Sequence, residues 1–213
     1  MIKSMNDFIK EHFLQNIVLY IIVTLSFTIG VSTGALTVNA LNGTQNEELM
    51  NYLNDFFRMV SEQNINNLEI LKISVSNNIK QVIFLWIFSI TVIGIPFILI
   101  LIGIKGFVTG FTVGFLIKYF NAKGILFSIV GIFPQSLIMV PCYVLLGVMG
   151  INYSVSTLKN NKKSNRTGRL RKEDVKAKFL LYSTMVIIIF CILTLGSIVE
   201  AYISPVFIKK FIN

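Results

Sequence analysis

The sequence predicts an all-α, polytopic membrane protein: one membrane domain over residues 1–213, built as a bundle of about five transmembrane helices. Apolar residues make up 54% of the 213 residues and charged residues 14%, whereas a soluble domain carries roughly 25% charged residues. Several apolar runs are long enough to cross a hydrocarbon core of about 30 Å. Lipid must therefore be the solvent for much of the protein surface.

A basic segment, residues 159–178, predicts the orientation of the chain. It holds nine Lys or Arg and two acids, whereas the rest of the chain holds ten bases and eight acids. Basic loops of membrane proteins stay in the cytoplasm, so we expect this segment to be a cytoplasmic loop. The net charge of +9 is then a marker of topology, and no nucleic-acid partner is expected.

The first residues, 1–13, predict a short helix lying in the membrane interface. Met5, Phe8, Ile9 and Phe13 recur at helical spacing among charged residues, which is typical of an interfacial amphipathic helix. We expect the N-terminus to be cytoplasmic, so an even number of crossings should separate it from the basic segment.

Five apolar segments are predicted to cross the membrane. The third is short, about 22 Å as a helix, but it must cross because otherwise the basic segment would lie outside the cell. The five predicted crossings cover about residues 14–41, 81–104, 106–120, 125–150 and 179–203.

Glycine spacing predicts where the crossing helices touch. Gly30 and Gly34 lie four residues apart in the first segment, and Gly106, Gly110 and Gly114 repeat the spacing in the third. Such rows let helices approach closely in a membrane. Flexibility near a helix end is an alternative for the first pair. A homodimer through these glycine faces is also compatible with the spacing.

The fourth and fifth segments carry two further signals. Pro134 and Pro141 are seven residues apart, so the bends they introduce should lie on one side of the helix. Glu200 is an acid near the outer end of the fifth segment, where it would reach water, a polar side chain or a partner protein. Acids at membrane helices are candidates for function.

The polar stretch 42–80 is predicted to form an external helical hairpin between the first two crossings. Apolar residues follow helical spacing in both of its halves, and Leu53, Phe56 and Phe57 form the largest apolar cluster. Two interpretations stay open for this hairpin. Its apolar faces either pack on each other and on the membrane surface, or dock another protein.

The sequence lacks the motifs of the common enzyme classes. It contains no Walker motif, kinase motifs, catalytic triad or metal-ligand spacing. We therefore expect no enzymatic activity, no cofactor and no metal site.

Four stretches resemble one known family. They read GVSTGALTVNAL at 30–41, EELMNYLNDFF at 47–57, GFVTGFTVGFL at 106–116 and GILFSIVGIFPQSLIMVPCYVLLG at 124–147. Their order and spacing resemble the stage II sporulation protein M family of endospore-forming bacteria over essentially the full length. Similar membrane proteins outside the sporulation branch often carry a Glu shortly after the first proline, where this chain has Gln135 and Ser136.

The resemblance implies a membrane scaffold in the mother cell during engulfment of the forespore. Its partners would be stage II sporulation proteins P and D, which cut peptidoglycan at the septal membrane. The segment order also resembles permease halves of ABC-2-type exporters. A permease or channel subunit is therefore the main alternative, and a general envelope protein is a third.

Overall fold

The computed structural model of the protein describes residues 13–61, 67–91, 93–162 and 168–203, with only the backbone at 56–61, 158–162, 168–175 and 203. The described residues are helical throughout apart from short turns, and the predicted all-α bundle is confirmed. The helices are α1 (Ile17–Thr37), α2 (Gly43–Ser61), α3 (Asn67–Ile90), α4 (Gly94–Phe127), α5 (Phe133–Lys162) and α6 (Gly168–Ile198), with a 3₁₀ turn at Val38–Ala40 and π-helical segments at Ser128–Ile132 and Val199–Ile203.

The chain reverses direction near the end of α4. Asn121 has φ 49° and ψ −125°, and a positive φ is uncommon for a residue other than Gly. After this reversal Gly124 packs so closely that a Cβ there would lie 2.0 Å from the Leu116 carbonyl oxygen. The helix before Asn121 and the helix after it are therefore antiparallel neighbours.

Four stretches of the described chain are long and apolar enough to cross a membrane. The third is 64 residues long and contains the reversal at Asn121, so each of its two arms can span the hydrocarbon core. This arrangement accommodates five crossings, although the exact number stays a prediction. The four stretches are Ile17–Ala40, Asn67–Ile90, Gly94–Thr157 and Lys176–Tyr202.

The bundle has two ends, which we name by what lies there. At the α2 end, the Lys118 ammonium donates a hydrogen bond to the Val38 carbonyl oxygen (2.8 Å), close to the reversal at Asn121. At the basic end, the Ser154 hydroxyl donates to the Ser89 and Thr91 carbonyl oxygens (2.7 and 2.9 Å). These bonds satisfy carbonyl groups that the turn between α3 and α4 leaves without helical partners.

The predicted boundary between hairpin and second crossing, at residues 80–81, is wrong. α3 is one continuous helix from Asn67 to Ile90, and the predicted second crossing, 81–104, is interrupted by the turn before Gly94. The predicted external hairpin places the polar residues of 67–80 in water, whereas Ser74 and Asn78 are buried in the bundle. The third crossing consequently begins at Gly94 and is not short.

Other predicted elements fall partly outside the described residues. The N-terminal interfacial helix lies outside them except for residue 13. The predicted basic loop 159–178 includes the end of α5 and the start of α6, while residues 163–167 lie outside. The structure places Pro134 in the first turn of α5, after the π-helical segment, and Pro141 inside α5. The bend at each proline stays a prediction.

The glycines lie at the contact between α1 and α4, the most extensive of the described helix pairs. A Cβ on Gly30 or Gly34 would lie 2.1 Å from the carbonyl oxygen of Gly103 or Phe107. In the reverse direction, a Cβ on Gly110 would lie 2.1 Å from the Val31 carbonyl oxygen. The backbones themselves therefore touch, as small residues allow in membranes. The remaining two, Gly106 and Gly114, face Phe27 and Ala35.

The glycine contact yields a test with a matched control on the same helix. Gly110→Ala places a methyl group against backbone atoms at 2.1–2.7 Å, whereas Gly103→Ala meets the Ser26 hydroxyl at 3.4 Å and the Ser26 carbonyl oxygen at 3.6 Å, which are ordinary contact distances. Overpacking costs about 1–3 kcal/mol, or roughly 2–12 °C of melting temperature for a chain of this size. We expect Gly110→Ala to lower the melting temperature of the detergent-solubilised protein by that amount and Gly103→Ala to leave it unchanged or raise it. Equal melting temperatures would show that α1 and α4 are not held this closely.

Candidate functional site

A cluster of polar side chains lies inside the bundle, where four helices meet. Its centre is Asn78 of α3, which is 2% exposed. The Asn78 amide nitrogen donates to the Ser197 hydroxyl (2.8 Å), and its amide oxygen accepts from the Tyr143 hydroxyl (2.8 Å). One amide therefore joins α3 to both α5 and α6.

The second contact of the cluster involves Glu200 in the π-helical segment after α6. The Ser74 hydroxyl donates to the Glu200 carboxylate at 2.5 Å. Ser74 and Asn78 lie one turn apart on α3, and Ser197 and Glu200 lie one turn apart on the last crossing, so the two helices are joined at two successive levels. A π-helical turn shifts the direction of the side chains that follow it, and such turns are frequent at functional sites.

Lys105 supplies a positive charge to the same region. Its ammonium nitrogen lies 5.0 Å from the centre of the Tyr143 ring, within the range of a cation–π interaction. A lysine and a carboxylic acid are therefore both half-buried in this region, and Tyr143 contacts Lys105 and donates a hydrogen bond to Asn78.

The cluster lies near the middle of the membrane-spanning part. Asn78 is twelve residues from the end of α3 and Lys105 is eleven residues from the start of α4, which places them about 18 Å and 16 Å from the basic end at 1.5 Å per residue. Two helices thus give the same depth. Polar groups are costly at that depth unless they bond to each other, and in this cluster they do.

A second set of hydrogen-bonded polar side chains joins α3 to α6 near the basic end. The Tyr182 hydroxyl donates to the Ser89 hydroxyl (2.8 Å), which donates to the Leu85 carbonyl oxygen (2.6 Å). The Trp86 indole donates to the Ser183 hydroxyl (3.2 Å). These bonds fix α6 against α3 in the half of the membrane that the central cluster does not reach.

The sequence-predicted partner-binding residues lie in two separate places. Leu53 is half-buried on α2, while Phe56 and Phe57 lie on the same helix with side chains outside the described part. Glu200 is turned into the bundle by its bond to Ser74. The structure therefore does not bring Glu200 and the α2 residues together into one site.

Sequence reasoning missed Asn78, Tyr143 and Lys105. Lys105 was expected at the turn between the second and third crossings, because the true turn near Gly94 was not recognised. The signal was present, since Gly94 and Pro96 are typical of a turn followed by a helix start. The predicted hairpin places Asn78 in water. The one sequence signal for its burial is that Asn78 lies on the side of α3 opposite the charged residues of that helix.

The chemistry of the described residues shows no catalytic or metal-binding arrangement. No group of three His, Cys, Asp or Glu that could hold a metal ion occurs within the described ranges. The central cluster contains a single acid, and the Asn78 amide is bonded at both of its ends. The arrangement can hold helices together, and its one contact between a hydroxyl and a carboxylate, Ser74 with Glu200, joins α3 to the last crossing.

One family model matches the chain. The model described as Stage II sporulation protein M matches residues 23–205, a span that includes the glycine contact, the polar cluster and α2. No curated protein and no solved structure matches the chain.

The central cluster predicts different effects for two neighbouring asparagines. Asn78→Ala removes the acceptor of the Tyr143 hydroxyl, and an unpaired buried polar group costs about 1–3 kcal/mol. Asn77→Ala changes an exposed side chain, for which changes within about 0.5 kcal/mol are usual. We expect a lower melting temperature for Asn78→Ala alone, measured on the purified protein in detergent. Equal stability of the two variants would contradict the bridging role of Asn78.

Proposed function

This chain belongs to the stage II sporulation protein M family, and from that premise we propose that it is a scaffold of the engulfment machinery. It is a sporulation-associated protein with helices that can span a membrane. In the proposed role it holds peptidoglycan hydrolases, the stage II sporulation proteins P and D, at the septal membrane. The hydrolases thin the septal wall, and this protein performs no catalysis itself.

The observation that carries this proposal is the bonding of the central cluster. A transport path needs polar groups that face a water-filled space, whereas the Asn78 amide and the Ser74 and Glu200 side chains bond across helices. Such bonds favour a bundle that keeps one arrangement. A fixed bundle suits a protein that positions others.

The proposal includes an orientation. Basic loops stay in the cytoplasm, so the basic end of the bundle faces the mother-cell cytoplasm, and the N-terminus lies there too. The α2 end then faces the space between the septal membranes, where the peptidoglycan lies. α2 is the most polar of the described helices. It lies at that end of the bundle, because Asn46 and Met50 line a cleft of about 330 Å³ with Tyr119 of α4.

The orientation predicts the labelling of a cysteine in the basic segment. We expect Asn165→Cys, in a chain with Cys142 and Cys191 replaced by Ala, to react with a membrane-impermeant thiol reagent only after the cells are opened. Asn42→Cys, beside the start of α2, serves as the control that should react in intact cells. Labelling of position 165 in intact cells would contradict the proposed orientation, because the basic segment would then lie outside the cytoplasm.

The scaffold role predicts a defined arrest in sporulating cells. Cells without the protein should form asymmetric septa and then fail to engulf, and fluorescent P protein should spread over the membrane and not collect at the septum. Restoring the gene should restore both. Normal septal localisation of both hydrolases in the deletion strain would contradict the scaffold role.

The apolar cluster on α2 predicts a loss of recruitment in one variant. We expect Phe56→Ala with Phe57→Ala to abolish co-purification of the P protein at unchanged levels of this protein, because aromatic residues dominate protein interfaces. Tyr52→Ala is a matched control, since Tyr52 is 74% exposed on the same helix. A fall in the protein's own level, with the same amount of P protein per molecule, would mean that the cluster packs on the bundle.

A permease-like subunit is the second candidate function, and one observation favours it. Lys105 and Glu200 place a lysine and an acid half-buried in the bundle, with Lys105 near mid-membrane, where intramembrane charges often mark transport pathways. A permease of this kind needs an ATPase subunit. Co-purification of an ATPase encoded beside this gene would favour transport, and its absence from the purified complex would favour the scaffold.

A further inference from the structure

One face of α3 carries exposed polar side chains at membrane depth, together with the exposed Ile73. The buried side of this helix is formed by Ser74, Asn78, Val82, Leu85 and Ser89. Directly opposite, at helical spacing, lie Glu69, Lys72, Ser76 and Lys80, which we name the polar stripe. All four side chains of the polar stripe are exposed.

The depth of the polar stripe follows from the central cluster. Lys80 lies ten residues before Ile90, about 15 Å from the basic end of the bundle, and two residues from the buried Asn78. A lysine side chain reaches about 6 Å, too short to bring its ammonium group from the middle of a hydrocarbon core of about 30 Å to either interface. In a single chain surrounded by lipid, Lys80 would therefore hold its charge in hydrocarbon.

Other exposed faces of the bundle differ from the polar stripe. Toward the basic end the same face of α3 becomes apolar, with Ile83, Phe84 and Ile87 exposed, as expected for contact with lipid. The exposed residues of α1 and α4 within the bundle are mostly Ile, Leu, Val and Phe. Charged residues facing lipid are costly, so the change along α3 indicates that the polar half of this face is covered.

We propose that the polar stripe docks a membrane-spanning helix of another protein, one that presents a carboxylic acid near mid-membrane. The proposal rests on the scaffold role and adds a docking surface within the membrane, separate from the α2 cluster. The carboxylate of the partner helix meets the Lys80 ammonium, and polar groups nearer the α2 end meet Ser76 and Lys72.

The charge pattern favours a different protein over a second copy of this chain. Two copies related by an axis along the membrane normal would bring Lys80 to the same depth as Lys80 of the other copy, and like charges repel most in a low dielectric. The acid of the stripe, Glu69, lies eleven residues from Lys80, about 16 Å along the helix. It cannot neutralise Lys80 in such a pair.

The glycine faces give no alternative interface for a dimer. Gly30, Gly34, Gly106 and Gly110 contact backbone atoms within the chain, so the rows that resemble dimerisation motifs are already occupied. A homodimer stays a prediction, and it would have to use another surface.

A designed membrane peptide can test the proposal with the full-length protein. The probe is a labelled 23-residue Leu/Ala helix with one central Glu, mixed with labelled protein in phosphatidylcholine vesicles and followed by energy transfer. Matched peptides carry a central Gln, or the Glu six residues off centre. We expect the central-Glu peptide to bind wild-type protein at least tenfold more tightly than either control.

Variants of the stripe then identify the contact. Lys80→Gln should remove the tenfold preference, and Lys80→Glu should reverse it in favour of a peptide with a central Lys. Lys72→Gln, nearer the α2 end, should keep most of the preference. Unchanged melting temperatures show that each variant is folded, as expected for exposed positions. Equal binding of the Glu and Gln peptides to wild-type protein would overturn the proposal.

Two further outcomes would also overturn the proposal, because each would show that something other than a partner helix contacts the polar stripe. Self-association of wild-type protein that Lys80→Gln abolishes would assign the stripe to a second copy. Reaction of Lys80→Cys with a water-soluble thiol reagent in vesicles would assign the stripe to a water-filled path.

The hydrolase localisation assay tests the scaffold role independently of peptide binding. If Lys80→Gln lacks peptide binding but still localises the P protein, the stripe is not the recruiting surface and the scaffold role stands.

Discussion

In a bilayer, a polar side chain on a helix must find its hydrogen-bond partner within the protein. In this bundle the Asn78 side chain does so by bonding α3 to two other helices. Its amide accepts from Tyr143 on α5 and donates to Ser197 on α6. The bond fixes the rotation of α3, and that rotation decides which of its residues face the half-buried Lys105 and Glu200 and which are exposed. Both the closed interior and the polar exterior of α3 follow from this one placement.

The glycine contact supplies the other half of the architecture. α1 and α4 meet through backbone atoms, and the Ser26 hydroxyl of α1 also donates to the Leu99 carbonyl oxygen of α4 (2.8 Å). The other helices assemble by hydrogen bonds, through Asn78 near mid-membrane and through Ser89, Ser154 and Tyr182 near the basic end. Close packing on one side and polar bonding on the other favour a bundle that holds its shape, which is what a scaffold requires.

Sequence periodicity and composition were enough to predict the class of fold and the glycine rows, and the resemblance of four stretches indicated the family. They were not enough for α3, because one helix carries charges on one side and buried polar groups on the other. The average polarity of residues 67–80 is typical of a surface segment. The contacts in the structure distinguish the buried Asn78 from the exposed Asn77. Lys105 was missed for a related reason, since its position depends on where the preceding turn lies.

The most direct test of this account is the depth of α3 in the membrane. A spin label on Asn77→Cys, in a chain with Cys142 and Cys191 replaced by Ala and reconstituted in lipid nanodiscs, reports collisions with oxygen from the lipid and with a nickel chelate from water. A label on Ile87→Cys gives the reference for an exposed, lipid-facing site. The account predicts frequent oxygen collisions and rare nickel collisions at both positions. Frequent nickel collisions at position 77 alone would place the first half of α3 outside the membrane and contradict the account.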